Sequence, residues 1–267
     1  VSRPVGTFLA IAFTVPWLLW LLRLGTGVDV IAPGGMLAAG LATLVTVRRF
    51  GLRDTGLRRQ PPWQVAAALA AVLGLALLAV VIGGVTGVLR LDLAGFSGLH
   101  QVHGGGPVGE VLLTAVARSG LLFGLVLPLA FCEEWGWRGF LLPRLLRFGR
   151  WGAFGLSGLI WAVWHLPGYT GRATWPAFVP FAVFTVLFGA LLGELRLRTG
   201  SVWACAVAHA ANNTLVIGLV NVAFTDAAEL AAPDPWSTGL SGWPGWVVMA
   251  AVIAVLAVTT RRKALAA

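Results

Sequence analysis

The chain has 267 residues, 58% of them hydrophobic and only 11% charged, with a mean hydropathy of +0.87. A soluble domain carries about 25% charged residues, so most of this chain is excluded from water, and its length suits one polytopic membrane domain over residues 1–267. The net charge of +9 and pI near 11.5 would suggest nucleic acid in a soluble protein. Here the basic residues fall in short gaps between apolar runs, as in cytoplasmic loops, so the expected partner is the lipid bilayer and not nucleic acid.

A helix needs about 20 apolar residues to cross a bilayer core. Segments 5–22, 31–50, 63–89, 119–142, 151–168, 176–195, 201–222 and 244–260 qualify. The first follows Arg3 and has no small-residue cleavage site after it, which reads as a transmembrane helix and not a signal peptide. Gly, Pro, Arg and Asp punctuate the gaps, as in GLRDTGLRRQPP and APDPWSTGLSGWPG. Barrel strands would be about ten residues long with alternating polarity. These runs are longer and continuously apolar, so the expected fold is an all-α transmembrane bundle of eight spans. Arg48, Arg49, Arg53, Arg58 and Arg59 fill the second gap, Arg144, Arg147 and Arg150 the fourth, Arg196 and Arg198 the sixth, and Arg261, Arg262 and Lys263 the C-terminus. The third gap has Arg90, and the seventh has Asp226, Glu229 and Asp234. With eight spans every basic-rich gap lies on one side, and both termini are expected in the cytoplasm.

A charge inside the bilayer costs several kcal/mol and is a functional hypothesis by default. FCEEWGWRGF, residues 131–140, places Glu133, Glu134 and Arg138 directly after an apolar run. Glu134 and Arg138 are four apart and share a helix face, so they can pair. Glu133 is rotated from Glu134 by about 100° and is left to face a cavity; the plainer alternative is that both glutamates are solvated at the cytoplasmic boundary. IWAVWHLP sets Trp161 four residues before His165, and AVAHAANNT sets His209 four before Asn213, with Asn212 adjacent. Ala206, Ala208, Ala210 and Ala211 admit a close neighbouring helix. At about 1.5 Å per residue, Glu133 and His209 come out at similar depths from the cytoplasmic side, with His165 deeper. His100 and His103, in the glycine-rich HQVHGGGPVG, read as solvated, and Cys132 and Cys205 as small buried hydrophobes, since no ligand or redox spacing surrounds them.

Taken singly, each histidine reads as a helix-packing residue. Together, a glutamate, two histidines and an asparagine on three spans form a plausible hydrolytic set: carboxylate and imidazole to move protons, imidazole and amide to donate to an oxyanion. Glu133, His165 and His209 could instead hold a divalent metal such as zinc with an open position, although the HExxH signature is absent. Membrane Glu and His also build the proton relays of transporters, but no repeated halves stand out. A non-catalytic scaffold or immunity protein of the same fold is the third alternative.

These residues resemble the CPBP family, which comprises type II CAAX prenyl endopeptidases, Abi and bacteriocin-processing proteins and lysostaphin-resistance-like membrane proteins. Its EExxxR pattern is matched by Glu133, Glu134 and Arg138, its FxxxH by Trp161 and His165, and its HxxxN by His209 and Asn213. The resemblance covers residues 119–222, the expected catalytic core; LRTGSVW at 197–203 fits it as well, and residues 1–118 match only in being apolar. Trp161 departs from the usual Phe while keeping an aromatic wall. The resemblance implies an intramembrane endopeptidase acting on a membrane-associated peptide or protein, by CAAX-type processing or peptide maturation, through a cavity open to the cytoplasm. It implies that Glu133 with His165 activates water, that His209 and Asn213 stabilise the oxyanion, and that Glu134, Arg138 and Trp161 support the site. Family members are often labelled metalloproteases, but the asparagine suits a metal-free route. The bias of 18 arginines to one lysine suggests a GC-rich bacterium, hence a bacterial cell membrane.

Overall fold

The structure is a computed structural model that describes residues 2–27, 31–169 and 175–265. Among the described residues nine helices carry the fold: α1 (Arg3–Thr26), α2 (Ile31–Phe50), α3 (Pro62–Val85), α4 (Ser97–His103), α5 (Val108–Glu134), α6 (Arg150–Trp164), α7 (Trp175–Thr199), α8 (Trp203–Ala211) and α9 (Trp243–Leu265). Shorter helical pieces continue or join them, and among the described residues no strand forms; two isolated bridges, Leu57 with Ser201 and Leu91 with Thr225, are the only β-type pairings. Among the described residues, five runs are long and apolar enough to cross a membrane: Arg3–Arg23, Pro62–Val85, Val108–Phe148, Pro176–Thr199 and Trp203–Phe224, with Trp243–Thr259 shorter. The side chains of Arg261, Arg262 and Lys263 lie outside the described ones.

Two helix boundaries differ from the hydropathy reading. Helix α5 begins at Val108 and not near 119, because Pro107 precedes it and Glu110 occupies its first turn; hydropathy discounts a polar first turn that helix chemistry favours. Helix α6 ends at Trp164, with His165 as its C-cap residue and Pro167 shortly after, as proline chemistry favours. Its 15 residues span about 22 Å, less than the bilayer core of about 30 Å.

Helix α8 is the centre of the bundle: α5 and α3 pack on it, α7 lies alongside, α2 lies against α5, and α9 closes on α3 and α7. Its sequence explains this position. Ala204, Cys205, Ala206, Ala208, Ala210 and Ala211 are all buried, and with side chains this small the backbones come close enough for the Cys205 thiol to donate to the Leu192 carbonyl of α7 at 3.3 Å. Two of the three motif-bearing helices then change pitch. Helix α5 runs on through a π-helical segment, Trp135–Leu141, and α8 through another, Asn212–Asn221. Such segments are rare and concentrate at functional sites.

The arginine-rich 51–61 connection is a strap. Thr55 Oγ1 accepts from the Trp135 indole at 2.8 Å, Gly56 O from Val202 N at 2.8 Å, and Arg58 O from Ser201 Oγ at 2.7 Å. It thereby ties the π segment after α5 to the start of α8. Gly56 has φ +77 and faces the Arg196 guanidinium, so a side chain there meets both strain and a clash.

At the opposite end of the molecule the histidines depart from the sequence reading. His103 is half-buried and its Nε2 donates to the Gly218 carbonyl at 2.9 Å; His100, also half-buried, donates from Nδ1 to Gly104 O at 3.3 Å. A Cβ on Gly218 in the second π segment would stand 3.1 Å from Ser119 Oγ of α5, a contact between helices that composition alone could not reveal. Asp92 organises the same region by accepting from Gly95 N at 2.7 Å, Ser97 N at 3.0 Å and Ala94 N at 3.3 Å. These bonds, that of Gly95 foremost, hold its carboxyl down at about 2. The ordinary value is about 3.9, so its stabilising effect is complete above that and disappears as pH falls through the folded value. Hydrogen exchange of the Gly95 and Ser97 amides is expected to stay flat from pH 7 to 4 after correction for intrinsic rates, then to lose protection toward pH 2.

Candidate active site

The last turn of α5 buries two adjacent carboxylates, Glu133 at 2% exposure and Glu134 at 0%. Their environments differ. Glu134 Oε1 accepts from Arg138 Nη1 at 2.8 Å, the i, i+4 pair that the spacing suggests, and also from His209 Nδ1 of α8 at 2.9 Å. Arg138 is itself 1% exposed and stacks over the Trp161 ring at 4.4 Å. Gly189 of α7 leaves room for it, since a Cβ there would stand 3.2 Å from Arg138 Nη2. Arg138, Glu134 and His209 thus form one buried hydrogen-bonded chain across α5 and α8.

Glu133 is held by indoles. Its Oε2 accepts from Trp161 Nε1 at 2.8 Å and from Trp137 Nε1 at 3.4 Å. Trp137 packs edge-on to Phe8 and Trp164, and the Trp164 indole donates to Ala12 O at 2.8 Å, so α1 braces this aromatic wall. His165 sits half-buried just beyond α6 with its ring 5.6 Å from that of Trp161, 4.7 Å from Trp164 and 4.8 Å from Phe181. The His209 ring lies 5.3 Å from the other side of the cluster at Trp161. Trp161 therefore touches Arg138, Glu133, His165 and His209.

The partners dictate the histidine tautomers. A carbonyl and a carboxylate can only accept, so His165 Nδ1, 2.9 Å from Trp161 O, and His209 Nδ1, 2.9 Å from Glu134 Oε1, each carry a proton. Nε2 is the nitrogen each presents for chemistry.

Asn213 is placed differently. It is exposed, its Oδ1 accepts from Asn212 Nδ2 at 3.1 Å, and among the described hydrogen bonds it joins neither Glu133 nor either histidine. The π segment begins at Asn212, and its wider turn rotates residue i+4 away from the α-helical position that the spacing assumes. Asn212 is buried.

The donors do not fit a metal. Glu133 is committed to two indoles and His209 to Glu134, and among the described residues no three His, Cys, Asp or Glu side chains converge on one point. Cys132, beside Glu133, packs its thiol against Gly40 of α2. An apolar cavity of about 670 Å³ lies between α3, α7 and α9; it reaches Ala208, next to His209, but none of the polar cluster, and its polar rim includes Gln64, Glu194 and Arg198.

Sequence reasoning missed Trp137 and gave Trp161 only a wall's role. Trp137 stands four residues after Glu133, the same i, i+4 relation that links Glu134 to Arg138, so the signal was present. The Trp161 contact joins residues 28 apart on different helices and had no local signal.

Compared with known families, residues 114–215 match the family described as Type II CAAX prenyl endopeptidase Rce1-like. The matched stretch holds all seven residues of the three motifs. No curated protein matches the chain.

Proposed function

We propose that this chain, an integral membrane protein similar over residues 114–215 to CAAX-type intramembrane proteases, is an endopeptidase that cleaves a membrane-associated peptide or protein substrate with Glu133 as its base. The observation that carries this reading is a buried carboxylate held on one oxygen by indole donors, one ring away from a histidine that presents Nε2.

A water between Glu133 Oε1 and His165 Nε2 gives a proton to the carboxylate, and the hydroxide attacks the scissile carbonyl carbon. His209, oriented by its Nδ1–H bond to Glu134, offers Nε2–H to the oxyanion in its protonated form as the tetrahedral adduct forms. Asn213 uses its oxygen to accept from Asn212, and in this reading its exposed amide N–H₂ is the second donor to the oxyanion. The C–N bond then breaks as Glu133 returns its proton to the leaving amine. Arg138 and Glu134 hold His209 in place throughout. The arginine-rich gaps face the cytoplasm in this reading, and the cluster opens to that side of a bacterial cell membrane.

Purified protein in detergent is expected to cleave fluorogenic CAAX-type or membrane peptides equally well with and without a strong chelator. Cleavage abolished by chelator and restored by zinc would overturn the metal-free mechanism. Proton flux in liposomes with no proteolysis would replace the protease reading with a transporter.

A further inference from the structure

We infer that Trp161 is a positioning residue that assigns the two oxygens of Glu133 different tasks, Oε2 as anchor and Oε1 as base; this rests on the reading of Glu133 given above. An indole N–H donates and never accepts. Two indoles aimed at Oε2, at 2.8 and 3.4 Å, therefore leave no place for a proton on that atom. The proton taken from water goes to Oε1, and the carboxyl plane is held while it moves. Trp161 is the stronger donor by distance, and its own position is over-determined: Arg138 stacks on its face at 4.4 Å, and its carbonyl accepts from His165 Nδ1 at 2.9 Å. Base and histidine are thus aligned on one residue, so the carboxylate and the imidazole cannot shift independently. A phenylalanine at this position keeps the ring and the carbonyl but has no N–H. In this chain the aromatic of the second motif holds Glu133 by a directional bond, which a wall does not.

Trp161→Phe isolates that bond. The ring still covers Arg138, and the backbone still accepts from His165. A charge-assisted hydrogen bond that positions a reacting group is worth about one to two powers of ten in rate. On a fluorogenic CAAX-type peptide, kcat is expected to fall about 10- to 100-fold with KM unchanged. Benzothienylalanine at position 161, which replaces the indole N–H by sulfur at the same size, is expected to reproduce the loss without a packing defect. Trp137→Phe is expected to cost less, in line with its longer bond.

A second readout needs no activity. In ¹⁵N-labelled protein the Trp161 indole resonance, identified by its absence in Trp161→Phe, is expected to move upfield in Glu133→Gln as a charged acceptor becomes neutral. Unchanged kcat in Trp161→Phe, a loss confined to KM, or an indole signal indifferent to Glu133→Gln would overturn the inference. If wild-type protein cleaves nothing, the protease reading fails while the indole signal still decides whether Trp161 holds Glu133.

Discussion

Glu133→Gln is expected to lower peptide cleavage by about 10²–10⁴-fold, the usual worth of a general base, while leaving the protein folded. The structure explains why the two effects separate. The glutamine carbonyl oxygen can take the place of Oε2 and accept from both Trp161 and Trp137, so no buried donor loses its partner. The amide nitrogen then faces the water and cannot accept a proton. Cleavage rate and unfolding midpoint measured on the same detergent-purified sample check both halves. A Glu133→Gln protein that is still active sinks the catalytic assignment. One that no longer folds would mean that the carboxylate is chiefly a structural anchor for the indoles.

Arg138→Ala is expected to be the most destabilising single change in the site. Arg138 and Glu134 have side-chain exposures of 2% and 0%. Removing one member of a buried pair leaves an uncompensated charge and costs about 3–5 kcal/mol. The arginine also covers Trp161, so its loss opens a cavity against the second motif. The charge term and the packing term can be told apart. Glu134→Gln combined with Arg138→Met removes both charges at similar volume and is expected to recover much of the loss. Arg138→Lys keeps the charge without the planar stack and should fall between. Denaturation midpoints of wild type and these three variants, read by intrinsic fluorescence in one detergent, test the order. In the double variant His209 loses its carboxylate partner, so recovered stability is expected without recovered cleavage. An Arg138→Ala midpoint equal to wild type would show that the pair carries no stability.

The two variants probe different oxygens of neighbouring residues, and that separation arises at the end of α5. Adjacent residues on a helix point about 100° apart, so one glutamate can face Arg138 and His209 while the other faces the tryptophans. Had both carboxylates faced one partner, neither role could be removed without the other.

Much of this was legible along the chain. Composition and run length alone imply a helical membrane protein, because the chain has too few polar side chains to cover itself in water and its apolar runs are too long for strands. The Glu134–Arg138 pair follows from i, i+4 geometry, and the three motifs identify the region that the family match covers. These features are local: they depend on residues within one or two helical turns, and periodicity reports them. What periodicity cannot report is a relation between helices. Trp161 on Glu133, His209 on Glu134, His103 on Gly218 and the 51–61 strap on Trp135 join residues 28, 75, 115 and 80 positions apart. The π segments after Glu134 and Ala211 are of the same kind, for an added residue per turn is a response to neighbours and has no sequence period of its own. They turn Asn213 away from the position that its spacing suggests. The polar residues available for chemistry could therefore be named from the chain, but which atom each presents, and to which partner, was decided only when α5, α6 and α8 packed together.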